Sequence, residues 1–286
     1  MATLRDIRRR IGSVKNTKQI TRAMKVVAAS RLRRSQERIF NARPYADQML
    51  AMLESVAGRL DQQQHPLLAR RPERKILLVA VTADRGLCGA FNANILRTAQ
   101  SYVRERGKEK VLMVAVGRKG RDFFRRRTVE MVAEYVNIFR QLEFSHAKDL
   151  AGKIIELYTN ESVDAVDFVY NEFKSTMVQN VKVERFLPIE PRVAAEGEFQ
   201  ADYIYEQPPS EILKTLLPRY VEVQVFRALL ESQAAEYAAR MTAMESATNN
   251  ADDLIESLRL KLNRARQAGI TKEIIEVVSG AQALEY

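Results

Sequence analysis

Read at alternating steps of four and three, the first segment yields a mostly apolar row from Ile7 through Ile11, Val14, Ala28, Leu32 and Ile39 to Leu60. That is the seam of a long helix with a coiled-coil-like repeat. Lys18, Thr21, Lys25 and Ser35 interrupt the row and mark a stretch where the seam is loose or faces another protein. Pro44 falls inside it, where a proline removes a hydrogen bond and kinks a helix. Gly58 and the run Asp61 to Pro66 end the segment.

The same steps run from Leu213 through Leu230, Tyr237, Met244, Ile255 and Leu258 to Ala265. Pro208-Pro209-Ser210 precedes them, with Ser210 as the expected N-cap. Pro218 predicts a short helix ending near Leu217 and a long one starting at Pro218, since the first turn accepts proline. From there to about Ser279 is roughly 60 residues, or about 90 Å of helix at 1.5 Å per residue. Helices of globular cores average about 11–12 residues, so an ordinary core does not explain this one.

Between the two segments the period changes. Lys75–Thr82, Val111–Val116 and Ala165–Tyr170 are apolar runs that predict buried strands, and Val181–Ile189 predicts a fourth. Helices are expected over Asn94–Glu105 and over Ser145–Tyr158, with Ser145 as cap, and another follows the second strand. Strands alternating with helices argue an open, largely parallel α/β sheet. The organisation is therefore an N-terminal coiled-coil helix over 1–60, a central α/β domain over 74–205 and a C-terminal coiled-coil helix over 210–286. The first helix enters the central domain and the last leaves it, so the two pair antiparallel if they pair. The C-terminal helix is the longer, and its end should project alone. That end reads Ile270, Ile274, Ile275, Val277, Val278, Ala281, Ala283 and Leu284, apolar on most sides, which predicts a socket in a partner.

Charge sharpens the picture. The net charge of the 286 residues is +10, and residues 1–43 hold thirteen Lys and Arg against only Asp6 and Glu37. The whole positive excess lies there, as a stripe suited to nucleic acid, anionic lipid or an acidic protein surface. An apolar fraction of 46% and a charged fraction of 29% exclude a disordered chain. No apolar run reaches about 18 residues, so no membrane helix is expected. The basic start lacks a following apolar block, so no secretory signal is expected. Cys88 is the lone cysteine, which rules out an internal disulfide, and His65 and His146 lie too far apart in sequence for a usual zinc set.

The turn Thr82–Asn92 follows a strand and opens a helix, a place where glycines can seat a phosphate. Its Gly-Leu-Cys-Gly matches neither phosphate fingerprint, so a tight structural turn is the expectation. Cys88 has no histidine near it in sequence and reads as a packed thiol. Arg118–Arg127 interleaves basic residues with Phe123 and Phe124, a pattern that stacks bases in some proteins. On a helix beside a sheet, the phenylalanines are expected to pack inward. No pair of carboxylates has a spacing that demands acid–base work.

Several stretches together resemble one family. Leu4–Gln36 (LRDIRRRIGSVKNTKQITRAMKVVAASRLRRSQ) and Ala239–Ile255 (ARMTAMESATNNADDLI) are similar to the gamma subunit of F-type ATP synthases. So is Asn263–Ala283, with Ile270, Thr271, Glu273, Glu276, Gly280 and Ala281 in the family's C-terminal pattern, and so is the turn Asp84–Gly89. The insert that lengthens the photosynthetic members is absent and no mitochondrial targeting segment precedes Met1, which points to the bacterial type. The resemblance implies the α/β class: an antiparallel coiled coil plus a central open, Rossmann-like domain. It implies the central rotor shaft of a proton-translocating synthase, non-catalytic itself. Its partners would be three alpha and three beta subunits, the epsilon subunit and the ring of c subunits. ATP, ADP and Mg would be bound by partner subunits, with no cofactor on this chain. The location would be peripheral, on the cytoplasmic side of a bacterial cell membrane.

By matching position, Met24, Lys25, Arg264, Gln267 and Thr271 resemble the family's contacts with the catalytic ring. Tyr203, Tyr205 and Glu206 match its foot against the membrane ring. Lysine at 25 departs from several members that carry glutamate, which changes the polarity of that contact and not its role. A basic coiled-coil protein gripping nucleic acid through residues 1–43 is the rival reading. An enzyme built on the α/β domain is the third, and it lacks a base, a metal set or a full phosphate motif.

Overall fold

The computed structural model describes residues 3–57, 65–127, 129–189 and 209–284. Two compact units emerge: Ala29–Arg240, and Met1–Ala28 together with Met241–Tyr286. Helix α1 (Leu4–Ala57) and helix α5 (Pro209–Leu284) each contribute residues to both.

The larger unit holds a five-stranded sheet in the order β3-β2-β1-β4-β5. Its strands are β1 (Ile76–Val81), β2 (Val111–Val116), β3 (Glu130–Tyr135), β4 (Ala165–Phe173) and β5 (Gln179–Leu187). β1 pairs parallel with β2 and β4, β2 pairs parallel with β3, and only β5 runs antiparallel. Every residue of β1 and β2 is buried, as expected for parallel strands covered on both faces. Helices α2 (Phe91–Arg106), α3 (Arg118–Phe124) and α4 (Phe144–Thr159) complete the domain. α2 turns Phe91, Ile95, Ala99 and Tyr102 inward at helical spacing.

Four local expectations need correction. β3 has no apolar run to announce it. It is an edge strand whose Glu130 and Glu134 face outward, and Glu134 pairs with Arg125 at 2.9 Å. α4 starts at Phe144 with Glu143 as its cap residue, not Ser145. The imidazole Nδ1 of His146 accepts the Glu143 N–H at 3.1 Å, so histidine and not serine closes the first turn. α2 begins at Phe91, three residues before the expected start, because Asn92 caps the preceding turn from within the helix.

The fourth concerns Pro218, which does not divide the C-terminal helix. α5 begins at Pro209, one residue ahead of Ser210, and runs unbroken through Pro218. An interior proline costs about 3 kcal/mol. Around it Leu213, Leu217, Val221 and Val225 are buried. Each contributes about 1.5–3 kcal/mol on full burial, so packing outweighs the local cost. The carbonyl that proline leaves without its N–H donor belongs to Lys214, an exposed residue. Pro44 likewise lies inside α1.

In the smaller unit, α1 and α5 pair antiparallel. Lys18 meets Asp252, Thr21 meets Thr248 and Lys25 meets Glu245, so residue numbers rise on one helix as they fall on the other. Ile11 and Ala28 from α1 and Met244, Ala251, Ile255 and Leu258 from α5 are buried along this seam. The polar residues that interrupt the seam are not loose. Within the larger unit Ser35 also finds a polar neighbour, Gln233, at 3.4 Å.

Candidate functional site

The pairing register dictates which part of α5 is left over. Paired residue numbers total 269 or 270, which sets Leu4 opposite about residue 266. Beyond that point α5 has no α1 residue opposite it among the described residues, for about 27 Å of helix at 1.5 Å per residue. Ile270, Ile274, Ile275, Val277 and Val278 are all exposed there, Val277 to 71%. Exposed apolar surface in such density marks a contact site. Arg264, Gln267 and Thr271 are exposed and, at steps of three and four, share one face. The Thr271 hydroxyl donates to the Gln267 carbonyl at 2.9 Å.

Met24 is half-buried beside the seam, and Lys25 is engaged in its own chain, 2.6 Å from Glu245. Tyr203, Tyr205 and Glu206 lie outside the described residues. On α1, Arg8, Lys15 and Arg22 are exposed at steps of seven, and Arg5 and Arg9 flank the first of them. They form a basic face beside the seam, and none has a carboxylate partner among the described residues.

The turn after β1 is a structural node. Asp84 Oδ1 accepts the backbone N–H groups of Arg118 at 3.0 Å and of Asn137 at 2.8 Å. This clamps the loops that follow β2 and β3. Thr82 Oγ1 donates to the Val116 carbonyl and accepts from the Gly120 N–H, at 2.9 and 2.7 Å. Asn92 Oδ1 accepts the Ala83 N–H at 2.9 Å, and its amide donates to Cys88 Sγ at 3.1 Å. Arg240, paired with buried Glu236 at 2.6 Å, donates to the Gly86 carbonyl. Burial, with the Glu236 charge second, pushes the Cys88 thiol up, away from nucleophilic use. Desolvation likewise raises the Glu236 carboxyl. The side chains of Thr82, Asp84 and Asn92 are thus engaged in holding these loops together. Phe124 is buried in the core beside Cys88 and Met113, while Arg118 bonds Asn137 and Arg125 bonds Glu134 at the surface.

A cavity of about 430 Å³ opens in the larger unit, lined by Ile39, Tyr45, Phe144, Phe226 and Leu230 with Arg219 and Arg227. Its cations already have partners: Arg219 lies over the Phe144 ring and pairs with Glu222, and Arg227 pairs with Glu184. Its surface is mainly apolar, with the carboxyl of Glu231, raised by burial, on the same wall as Arg227.

Sequence reasoning missed the acidic half of the seam. Glu245 and Asp252 stand seven apart on α5, and the lysines they meet, Lys18 and Lys25, also stand seven apart. That matched spacing was available as a signal.

Comparison with known proteins agrees with this geometry. A family model described as ATP synthase matches residues 3–284. The chain is 49% identical over 301 residues to the ATP synthase gamma chain of Chloroherpeton thalassium, covering all of this chain and 99% of that one. It is 50% identical over 289 residues to the gamma chain of Solibacter usitatus, with full coverage of both. Among solved structures, the central stalk and c-ring of the Tetrahymena thermophila mitochondrial ATP synthase contains a chain with TM-score 0.61 and 27% identity, covering 80% of this chain and 99% of that one. A chain of the Euglena gracilis mitochondrial ATP synthase shares the fold, with TM-score 0.67 at 21% identity, covering 98% of this chain and 94% of that one. With a family model and full-length relatives in agreement, the chain belongs to the gamma-chain family of ATP synthases.

Proposed function

We propose that this chain is the central rotor shaft of a bacterial, proton-translocating ATP synthase and carries no catalytic site of its own. Three alpha and three beta subunits surround the paired helices, and the α/β domain faces the epsilon subunit and the c ring. Proton flow turns the ring and the shaft. The asymmetric shaft then moves each catalytic site in turn through loose, tight and open states. In reverse, hydrolysis turns the shaft and pumps protons. The carrying observation is the end of α5, which outruns its partner helix and exposes Ile270, Ile274 and Val277 to a sleeve that must be supplied by other subunits.

Within this reading the resemblance assigns Met24, Lys25, Arg264, Gln267 and Thr271 to the catalytic ring, although Lys25 already holds Glu245 of its own chain. The basic face of Arg8, Lys15 and Arg22 suits acidic loops of the catalytic subunits. Tyr203, Tyr205 and Glu206 form the foot on the membrane ring. ATP, ADP and Mg belong to partner subunits. Attachment to the membrane is peripheral, through the c ring, on the cytoplasmic side, and no helix of the described residues is long and apolar enough to cross a membrane.

Co-expression with the alpha and beta subunits tests the reading, with complex mass and ATPase activity measured with and without the last dozen or so residues. One copy per six-membered head, and activity that depends on it, is the expected result. An active head that never takes up the chain overturns it. Tight, salt-sensitive DNA binding by the chain would then favour the nucleic-acid rival.

A further inference from the structure

The paired stretch of α1 and α5 is apolar at both ends and polar in the middle. Three successive layers carry Lys18 with Asp252, Thr21 with Thr248 and Lys25 with Glu245. The Thr21 and Thr248 hydroxyls are 2.8 Å apart, and Thr21 is only 8% exposed. Each hydroxyl also lies within hydrogen-bond distance of a carbonyl of its own helix, Lys18 at 3.0 Å and Met244 at 2.7 Å. The flanking ion pairs are half-exposed. Pairs of that exposure add little to stability. Apolar residues in three layers would hold the helices together more strongly, so stability does not account for the arrangement.

Specificity does. Apolar seams tolerate a slip of one heptad, because one alkyl knob fits another's hole, whereas polar layers do not. Sliding α1 by seven residues one way keeps Lys25 on an acid, Asp252. It also sets Lys18 against Arg259 and places Ile255 on buried Thr21, whose hydroxyl then loses its hydroxyl partner. Sliding the other way gives Lys18 an acid, Glu245, but leaves Lys25 on Ala238. Only the observed register gives each lysine an acid and each hydroxyl a hydroxyl.

We propose that these three layers are a register key, and that Lys25 acts on Glu245 of its own chain and not on a partner subunit. The key fixes the axial and rotational setting of the two helices where Met24 emerges beside it. Lys18, Thr21 and Lys25, with Asp252, Thr248 and Glu245, are therefore positioning residues for the coupling surface. The proposal rests on the shaft reading and refines it.

A charge swap in the assembled synthase, reconstituted in vesicles, tests it by the ratio of ATP-driven proton pumping to ATP hydrolysis. Lys25→Glu alone and Glu245→Lys alone each place like charges at the same layer, and each is expected to lower that ratio about threefold or more. The double variant restores opposite charges and is expected to return it to within about 1.5-fold of the parent, as coupled neighbours do. A merely structural role would move the yield and melting of the complex but not this ratio. Thr21→Val with Thr248→Val supplies an isosteric second test, expected to raise melting while lowering the ratio. The proposal is overturned if Lys25→Glu leaves the ratio unchanged, or if Glu245→Lys fails to rescue it, the latter being the outcome if Lys25 meets a partner. If the parent complex itself does not pump, the shaft reading fails instead.

Discussion

Gly117 offers a prediction whose size follows from the structure. It ends β2 with φ 88° and ψ 145°, a conformation that side-chain-bearing residues rarely adopt. A Cβ there would stand 2.1 Å from the Thr82 carbonyl oxygen, 2.7 Å from its carbon and 2.9 Å from Thr82 Oγ1. Thr82 cannot retreat freely: its N–H donates to Val116 at 2.8 Å, and its hydroxyl holds Val116 and the Gly120 N–H. Gly117→Ala therefore incurs backbone strain of about 1–3 kcal/mol. Displacement of a packed strand end adds about 1–3 kcal/mol. A midpoint near 4 kcal/mol corresponds to a fall in melting temperature of about 8–16 °C for a domain of this size. The chain has ten tyrosines and no tryptophan, so near-ultraviolet circular dichroism of tyrosine follows the sheet domain through a thermal melt. Gly152→Ala is the control. That glycine is exposed on α4 with nothing within 4 Å of the added carbon, and the change is expected to stabilise by about 0.5–1 kcal/mol. A Gly117→Ala melt within about 2 °C of the parent would refute the reasoning.

Other consequences are smaller in scope. Hydrogen bonding from Arg185 holds the Glu73 carboxyl below the ordinary glutamate range. A lowered acid contributes stability that is complete above that range and lost as pH falls from it through the depressed folded-state value. Glu73→Gln should therefore flatten the acid limb of the stability curve below about pH 5, and an unchanged limb would count against the assignment. Cys88 is buried with its thiol pushed up, so alkylation of the native chain near neutral pH should run at least about tenfold slower than after denaturation. Phe124→Ala removes a ring buried to 1% exposure and should cost about 3–5 kcal/mol in denaturant melts, well above the cost of Arg126→Ala on the exposed side of the same turn. Replacing Arg8, Lys15 and Arg22 together by glutamine should slow assembly with the alpha and beta subunits at low salt and change it little at high salt.

Much of the fold was legible because its strongest signals are periodic. The steps of four and three placed Ile11, Leu32, Ile39, Leu53, Ile255 and Leu258 on the seam, and all are buried. The apolar runs at β1, β2 and β4 announced strands covered on both faces. What escaped notice depends on partners distant in sequence. β3 is held by β2 at the sheet edge, and its own residues are half polar. Pro218 breaks a helix by local rules, and the buried row from Leu213 to Val225 overrides them. The lysines at 18 and 25 looked like flaws in a seam until Asp252 and Glu245, more than two hundred residues away, were set opposite them. The proposed coupling contacts rest on the family resemblance alone, since exposed residues such as Arg264, Gln267 and Thr271 leave no packing signature of their own.

Rotation is the central claim, and it can be observed directly. With Cys88→Ser as background, a thiol introduced by Lys148→Cys on the exposed face of α4 carries a gold rod, while the surrounding alpha and beta subunits are fixed to glass. The account predicts that ATP turns the rod in one direction, with three pauses per revolution from the threefold arrangement of catalytic sites, and that the turning stops when ATP is withdrawn. A rod that stays still while the same immobilised complexes hydrolyse ATP at full rate would contradict it.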